Sequence, residues 1–275
     1  MSKVLDGRAL ARTIKGELAS EIASRKSAPG LGTILVGDDP GSAAYVAGKH
    51  RDCAEVGINS IRIELPASAS EEEIRGAVDQ LNGNSNCTGF IVQLPLPNGI
   101  NTQKILEAID PRKDADGLHP LNLGRLVLDY PAPRPCTPMA IVELLNRNEI
   151  DLAGMEVAVL GRGTTVGRPL GLLLSSRKIN ATVTTLHTGT RDLASHTKRA
   201  DVIVAALGKP HFITPEMIKP GSILIDVGLT REASGLVGDI DPKSHELASA
   251  YTPVPGGVGP MTRAMLLQNV VKLAK

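Results

Sequence analysis

Two hundred and seventy-five residues, 42% of them hydrophobic, suffice for one or two substantial cores at roughly 100–200 residues per domain, and they exclude a disordered chain. Thirty Lys and Arg against 29 Asp and Glu leave a formal net charge of +1, so no overall basic field is present to hold nucleic acid or an anionic membrane surface. Apolar runs such as Val202 to Leu207 fall far short of the ~18–20 residues that cross a bilayer, and the opening MSKVLDGRAL lacks an apolar signal core, so a soluble, cytoplasmic protein is expected.

In chain order, Asp6 to Lys26 carries Leu10, Ile14, Leu18 and Ile22 at a spacing of four, which builds one helical face and stops before Pro29 and Gly30. Short β-rich runs over 32–36, 58–65 and 89–94 then alternate with helical stretches over 42–56 and 70–82. That rhythm predicts a parallel sheet with crossover helices. The tract PAPRPCTP, 131–138, holds four prolines in eight positions and reads as a connection between domains. Strands return over 156–160, 181–186, 201–205 and 222–227, a second doubly wound α/β unit. TPVPGGVGP, 252–260, is another Pro/Gly joint, and an amphipathic segment after Met261 is expected to return to the first domain. The expected layout is 1–137 with 259–275, and 138–258.

MEVAVLGRGTTVGRPLGLLL places Gly161, Gly163 and Gly167 between a buried strand and a helix, where backbone amides at a helix N-terminus can hold phosphate. Glycines also make ordinary strand-to-helix turns, and the spacing GxGxxxG is one residue longer than the usual fingerprint. A common NAD site wants a carboxylate at the end of the next strand, but TTLHTGTRD offers His187, Thr188 and Thr190. Arg162 and Thr188 are suited instead to a 2′-phosphate, which favours NADP with NAD as the alternative; Asp192 nearby weighs against it. Leu207, Gly208 and Leu229 end strands on the cofactor side.

In the first domain, Tyr45 and Lys49 stand at i and i+4 and so share a helical face, an aromatic ring beside an amine. A surface Tyr covering a Lys stem is the bland reading. Gln93 ends an apolar strand before Pro95 and Pro97, at the edge where open α/β sheets bind ligands, although a polar residue there also serves as a turn. In DADGLHPLN, Asp114 and Asp116 offer a carboxylate for an amino-pyrimidine edge or a cap for the following helix.

Taken together and in order, YVAGKHRDCAEVGI, GFIVQLPLPNGIN, DADGLHPLNLGRL, PCTPMAIVELL, VLGRGTTVGRP, ADVIVAALGKP, GSILIDVGL and TPVPGGVGPMT resemble the bifunctional methylenetetrahydrofolate dehydrogenase/methenyltetrahydrofolate cyclohydrolase family over essentially the whole chain. The resemblance implies an N-terminal folate-binding catalytic domain and a C-terminal Rossmann-type NADP-binding domain. It implies oxidation of 5,10-methylenetetrahydrofolate and hydrolysis of the product to 10-formyltetrahydrofolate, with one cleft serving both steps, in a cytoplasmic homodimer that supplies purine biosynthesis. By the same resemblance Tyr45 stacks on the folate, Asp116 binds the pterin edge, Lys49 moves protons and activates water, and Gln93 tunes the lysine. The loop bearing Pro255, Gly256 and Gly257 closes over the folate. Gly161, Arg162, Gly163, Thr188 and Leu229 serve the cofactor, and Gly163 departs from the family's common serine.

Other features read as structural. Six histidines, His119 and His187 among them, lack metal-binding spacing, so no metal is expected. Cys53, Cys87 and Cys136, odd in number and far apart, suit reduced thiols rather than disulfides. Glu71 to Glu73 suits the start of a helix. Two rival functions stay open: a two-domain dehydrogenase of another small substrate, such as shikimate or an amino acid, and a nucleotide-sensing regulator on the same fold.

Overall fold

The structure, a computed structural model, describes residues 2–233 and 235–274. In chain order its elements are β1 (Lys3–Val4), α1 (Gly7–Ala23), β2 (Gly30–Val36), α2 (Pro40–Val56), β3 (Asn59–Leu65), α3 (Glu71–Gly83), β4 (Gly89–Val92), α4 (Thr102–Glu107), α5 (Pro120–Val127) and α6 (Cys136–Arg147). There follow β5 (Glu156–Leu160), α7 (Gly167–Leu174), β6 (Thr182–Leu186), α8 (Leu193–Thr197), β7 (Val202–Ala205), β8 (Ile223–Asp226), β9 (Thr230–Glu232), β10 (Gly235–Val237), β11 (Ala250–Tyr251) and α9 (Val258–Leu273).

Two compact units divide the chain: residues up to Ala11 go with Thr137–Thr262, and Arg12–Cys136 goes with the segment from Arg263 onward. In the latter, a parallel sheet runs β3-β2-β4, with Ile34 opposite both Ile63 and Val92. Every residue of central β2 is buried, as a continuous apolar strand flanked on both sides must be. Ile34, Ile74, Val78, Leu81, Phe90 and Ile105 form its core. Helix α2 opens where the Asp39 carboxylate accepts from Ser42 N at 2.7 Å and closes at Gly57, whose φ of 83° suits glycine. At α3, Ser70 and Glu73 form a reciprocal capping box, so the acidic run is a helix start.

The other unit holds a six-stranded, all-parallel sheet in the order β1-β11-β8-β7-β5-β6, with a separate antiparallel ribbon β9/β10. Leu160, Ile203, Ala205, Leu224 and Ile240 lie in its core. The N-terminus, expected with the first domain, joins the edge of this sheet: Lys3 and Val4 pair in parallel with Ala250 and Tyr251, and Leu5 N donates to Tyr251 O at 2.8 Å. A two-residue strand carries no periodicity for the sequence to display.

Two further differences have physical reasons. The proline tract ends early because α6 already begins at Cys136, with Pro138 in the first turn, where a missing N–H costs nothing. The C-terminal helix starts at Val258 and is not amphipathic: Met261, Ala264, Met265, Leu266, Leu267, Val270 and Val271 are all 2% exposed or less. A helix apolar around most of its circumference is a core helix. Among the described residues no helix is long and apolar enough to cross a membrane, and the three cysteines are buried and free.

Candidate active site

Helix α2 lines up Tyr45, Gly48, Lys49 and Asp52 at i, i+3, i+4 and i+7, one face. Lys49 is only 7% exposed; its Nζ donates to Gln93 Oε1 at 2.9 Å and lies 5.0 Å from the centroid of the Tyr45 ring. Gln93 stands directly after β4, which stops at Val92 rather than Leu94, and its own amide N donates to Ile34 O at 2.8 Å. Its Nε2 donates to Leu94 O at 2.7 Å, which turns Oε1 toward the amine. The sequence therefore brings together the pair that it suggested.

The two aspartates of DADG divide the alternatives between them. Asp114 builds the turn: Oδ1 accepts from Gly117 N at 3.0 Å, and Oδ2 from His119 N at 2.8 Å and Asn122 Nδ2 at 2.9 Å. Gly117, at φ 72°, is required there, because a Cβ would stand 2.3 Å from the Arg134 carbonyl carbon. His119 then caps α5 by accepting from Leu121 N at 3.0 Å, a structural role. Asp116 is left out of that turn, and the Cys136 thiol near it donates to Ala115 O at 3.5 Å. Asn269 of α9 braces this corner by donating to Ala115 O and Arg134 O, each at 2.9 Å.

Burial displaces Lys49, Asp116, Tyr45 and Cys136 toward their neutral forms. It lowers the Lys49 amine from its ordinary 10.5, with Asp116 and Cys136 pulling back and Arg263 adding to the lowering. It raises the Asp116 carboxyl, which Lys49 opposes and Asp114 reinforces. The Tyr45 phenol is pushed up to about 12, and the Cys136 thiol lies well above its usual value. An amine whose charged form burial disfavours is suited to exchanging protons with water, and a carboxyl beside it can pair with the N–H groups of an amino-pyrimidine edge.

The remaining predicted residues lie in the unit of the six-stranded sheet. Gly161 follows β5 at φ 112°, where a Cβ would stand 2.3 Å from Ala206 O; a Cβ on Gly167 would stand 2.0 Å from Gly161 O. Loop, helix start and β7 end are thus in backbone contact that only glycine permits. No side chain caps α7. Arg168 N already donates to Gly163 O at 3.1 Å, Leu170 N donates to Val166 O at 2.9 Å and Pro169 has no N–H, so a phosphate here would meet the Gly167 end of the helix and the loop before it. These are features a dinucleotide fits. Arg162, Gly163 and Thr188 are exposed, and Leu229 is 53% exposed. A Cβ on Gly163 meets nothing within 4 Å, so packing does not demand glycine there. Asp192 caps α8 by accepting from Ser195 N at 3.3 Å, while His187 Nδ1 accepts from Gly189 N at 3.1 Å; both are turn residues.

Pro255, Gly256 and Gly257 belong to this unit too. Gly257 N donates to Pro253 O at 2.7 Å, and Gly7 backs the loop so closely that a Cβ on it would lie 1.8 Å from Gly257 O. Two buried carboxylates shape the neighbouring strand ends, and the sequence reading passed over them. Asp239 accepts from the amides of Leu207, Gly208 and Lys209; Asp226 accepts from those of Gly228, Asp239 and Ile240. Burial, with Asp239 alongside, takes the Asp226 carboxyl up to about 6 against the pull of those amides. Their signal was a glycine facing each: a Cβ on Gly228 would meet Asp239 at 2.2 Å, and one on Gly238 would meet Asp226 at 2.0 Å.

The sequence models of the tetrahydrofolate dehydrogenase/cyclohydrolase catalytic domain and of its NAD(P)-binding domain match residues 5–116 and 135–275. The chain belongs to the tetrahydrofolate dehydrogenase/cyclohydrolase family. It is similar at 41% identity to the bifunctional methylenetetrahydrofolate dehydrogenase/cyclohydrolase FolD of Campylobacter jejuni, covering 100% of this chain and 99% of that one with a TM-score of 0.96. At 39% identity it matches the Trypanosoma brucei enzyme solved with NADP and an inhibitor, covering 99% and 97% with a TM-score of 0.93. A silkworm (Bombyx mori) methylenetetrahydrofolate dehydrogenase matches at 41%, covering 100% and 98% with a TM-score of 0.95. A shikimate dehydrogenase matches at 11% with a TM-score of 0.55, which shows a shared fold alone. Family membership makes the protein an enzyme of one-carbon folate chemistry, with dehydrogenase and cyclohydrolase activities, and sets aside the rival dehydrogenases and the nucleotide sensor.

Proposed function

We propose that this chain oxidises 5,10-methylenetetrahydrofolate with NADP and hydrolyses the resulting methenyl cation to 10-formyltetrahydrofolate, with Lys49 as the proton-transferring group. The observation that carries the reading is the buried Lys49 amine hydrogen-bonded to Gln93, beside Tyr45 and facing the charge of Asp116. When bound, the nicotinamide accepts hydride from the one-carbon bridge. Water then attacks the cationic bridge carbon, and Lys49 takes the proton that the water releases. As the bond from that carbon to N5 breaks, the hydroxyl proton passes through Lys49 to N5, so one proton is released overall.

Tyr45 supplies a ring face for the planar pterin, and Asp116 an oxygen for its N–H edge. To Pro255, Gly256 and Gly257 we assign a part in folate binding, and to Gly161, Arg162, Gly163, Thr188 and Leu229 a part in cofactor binding, as the family resemblance implies. NADP over NAD is supported by exposed Arg162 and Thr188, by the absence of a carboxylate in the HTGT turn after β6, and by the NADP bound in the Trypanosoma relative. We place the enzyme in the cytoplasm, supplying formyl groups to purine biosynthesis. A homodimer is supported by the apolar surface of Val127, Leu128 and Tyr130, each about 60% exposed.

One spectrophotometric assay tests the reading, following NADPH and methenyl absorbance with each cofactor. It expects oxidation faster with NADP than with NAD, and hydrolysis of methenyltetrahydrofolate without added nucleotide. Purified protein that left methenyltetrahydrofolate at its spontaneous rate would overturn the hydrolytic half.

A further inference from the structure

The face of α2 that carries Tyr45 and Lys49 also carries a second cation from elsewhere in the chain. Arg263, in α9, lays its guanidinium beside Gly48, where a Cβ would stand only 2.2 Å from Nη1, so that any side chain at 48 displaces it. Its Nε lies 2.9 Å from Asp52 Oδ2. Asp52, 5% exposed, also receives Lys15 Nζ at 2.9 Å on Oδ1, so it keeps a cation when Arg263 is removed. Gly48 and Asp52 thus form a slot and an anchor for one guanidinium, one helical turn from Lys49.

We propose that Arg263 is a positioning residue for the Tyr45–Lys49 pair, a fixed cation admitted by Gly48 and held by Asp52, whose charge acts on the Lys49 amine. The inference rests on the reading of Lys49 as the hydrolytic base. The groups facing that amine are Asp116 before α5, Cys136 at the start of α6, Tyr45 and Cys53 on α2 and Arg263 on α9, with neutral Gln93 after β4 and the adjacent His50, whose imidazole burial lowers to about 4 and so keeps neutral across the assay range. Of these, Arg263 alone is a cation; its repulsion disfavours the ammonium and opposes the attraction of Asp116. Tyr45 feels the same charge, in the direction that favours its phenolate.

The test is the pH profile of methenyltetrahydrofolate hydrolysis in Arg263→Gln, Arg263→Lys and Lys49→Met. If the neutral amine is the active form, removing the cation raises the pH at which it forms, so Arg263→Gln moves the midpoint of the alkaline rise up by roughly 0.5–1 unit. Arg263→Lys, which keeps the charge, restores the parent midpoint. A residue with a merely structural role changes stability and KM and leaves the midpoint in place. If Arg263→Gln does not fold, Gly48→Ala displaces the guanidinium without removing any charge, and an upward move of the midpoint is again expected. An unmoved or lowered midpoint in the folded variant overturns the role of Arg263 when Lys49→Met has lost hydrolysis. Hydrolysis at the parent rate in Lys49→Met overturns instead the reading of Lys49 on which the inference rests.

Discussion

The site around Lys49 is assembled from side chains taken out of water, whereas the loops after β5, β6, β7 and β8 are shaped chiefly by backbone. In the first, the buried amine of Lys49 is packed with a half-buried amide, phenol and carboxyl, and each ionisable member is pushed toward its neutral form. In the second, glycines allow main chain to approach main chain, and two carboxylates hold loop amides in place. The side chains that can select a cofactor are exposed at the rim of these loops. The contrast teaches that proton chemistry needs low dielectric, where a charge is costly and therefore movable, while dinucleotide binding needs geometry that backbone supplies. Substitutions in the first site should thus have large effects on rate, and those at the rim of the second should have small effects on preference.

The largest effect is expected for Lys49→Met, which keeps most of the stem's volume and removes the amine. Hydrolysis should fall by ~10²–10⁴-fold, the usual range for a general acid/base, while hydride transfer falls less and NADP binding persists. Rates measured separately from methylene- and methenyltetrahydrofolate check this split. Next comes Asp116→Ala, which should raise the folate KM of both reactions by ~10–100-fold, as loss of a charge-assisted hydrogen bond implies. Unchanged folate affinity would remove Asp116 from the substrate. Arg162→Ala should weaken NADP about tenfold more than NAD, because the contact to a 2′-phosphate is the one that NAD lacks. Isothermal titration with both nucleotides decides it, and equal weakening contradicts the assignment. The smallest effect is expected for Gly163→Ser: the site has room for a Cβ, and an added hydroxyl should tighten NADP by about two- to fivefold.

Much of this arrangement was legible in the residues. The spacing of Tyr45 and Lys49 put both on one face, and Gln93 at a strand end put its amide at the ligand-binding edge of a parallel sheet. The glycines after β5 announced a close backbone approach, which the contacts of Gly161 and Gly167 bear out. What stayed hidden depended on partners remote in sequence. Local pattern could not tell Asp114 from Asp116, since the turn that claims Asp114 is completed by Asn122 and by Gly117 against Arg134. Nor could it join Arg263 to Asp52, because an ion pair between two helices leaves no periodic trace. The strand at Lys3–Val4 was too short to show alternation, and the apolar girth of α9 was misread as one face because its polar residues are few and scattered.

The most direct test of the account is an NMR titration of the Lys49 side chain in the intact protein, with its resonance assigned by its disappearance in Lys49→Met. Burial against the pull of Asp116 predicts an amine that loses its proton clearly below its ordinary value of 10.5. Raising that value by Arg263→Gln would follow from the same electrostatics. An amine that titrates at or above 10.5 in the folded protein would show that Asp116 outweighs burial and would contradict the assignment of Lys49 as the group that takes a proton from water.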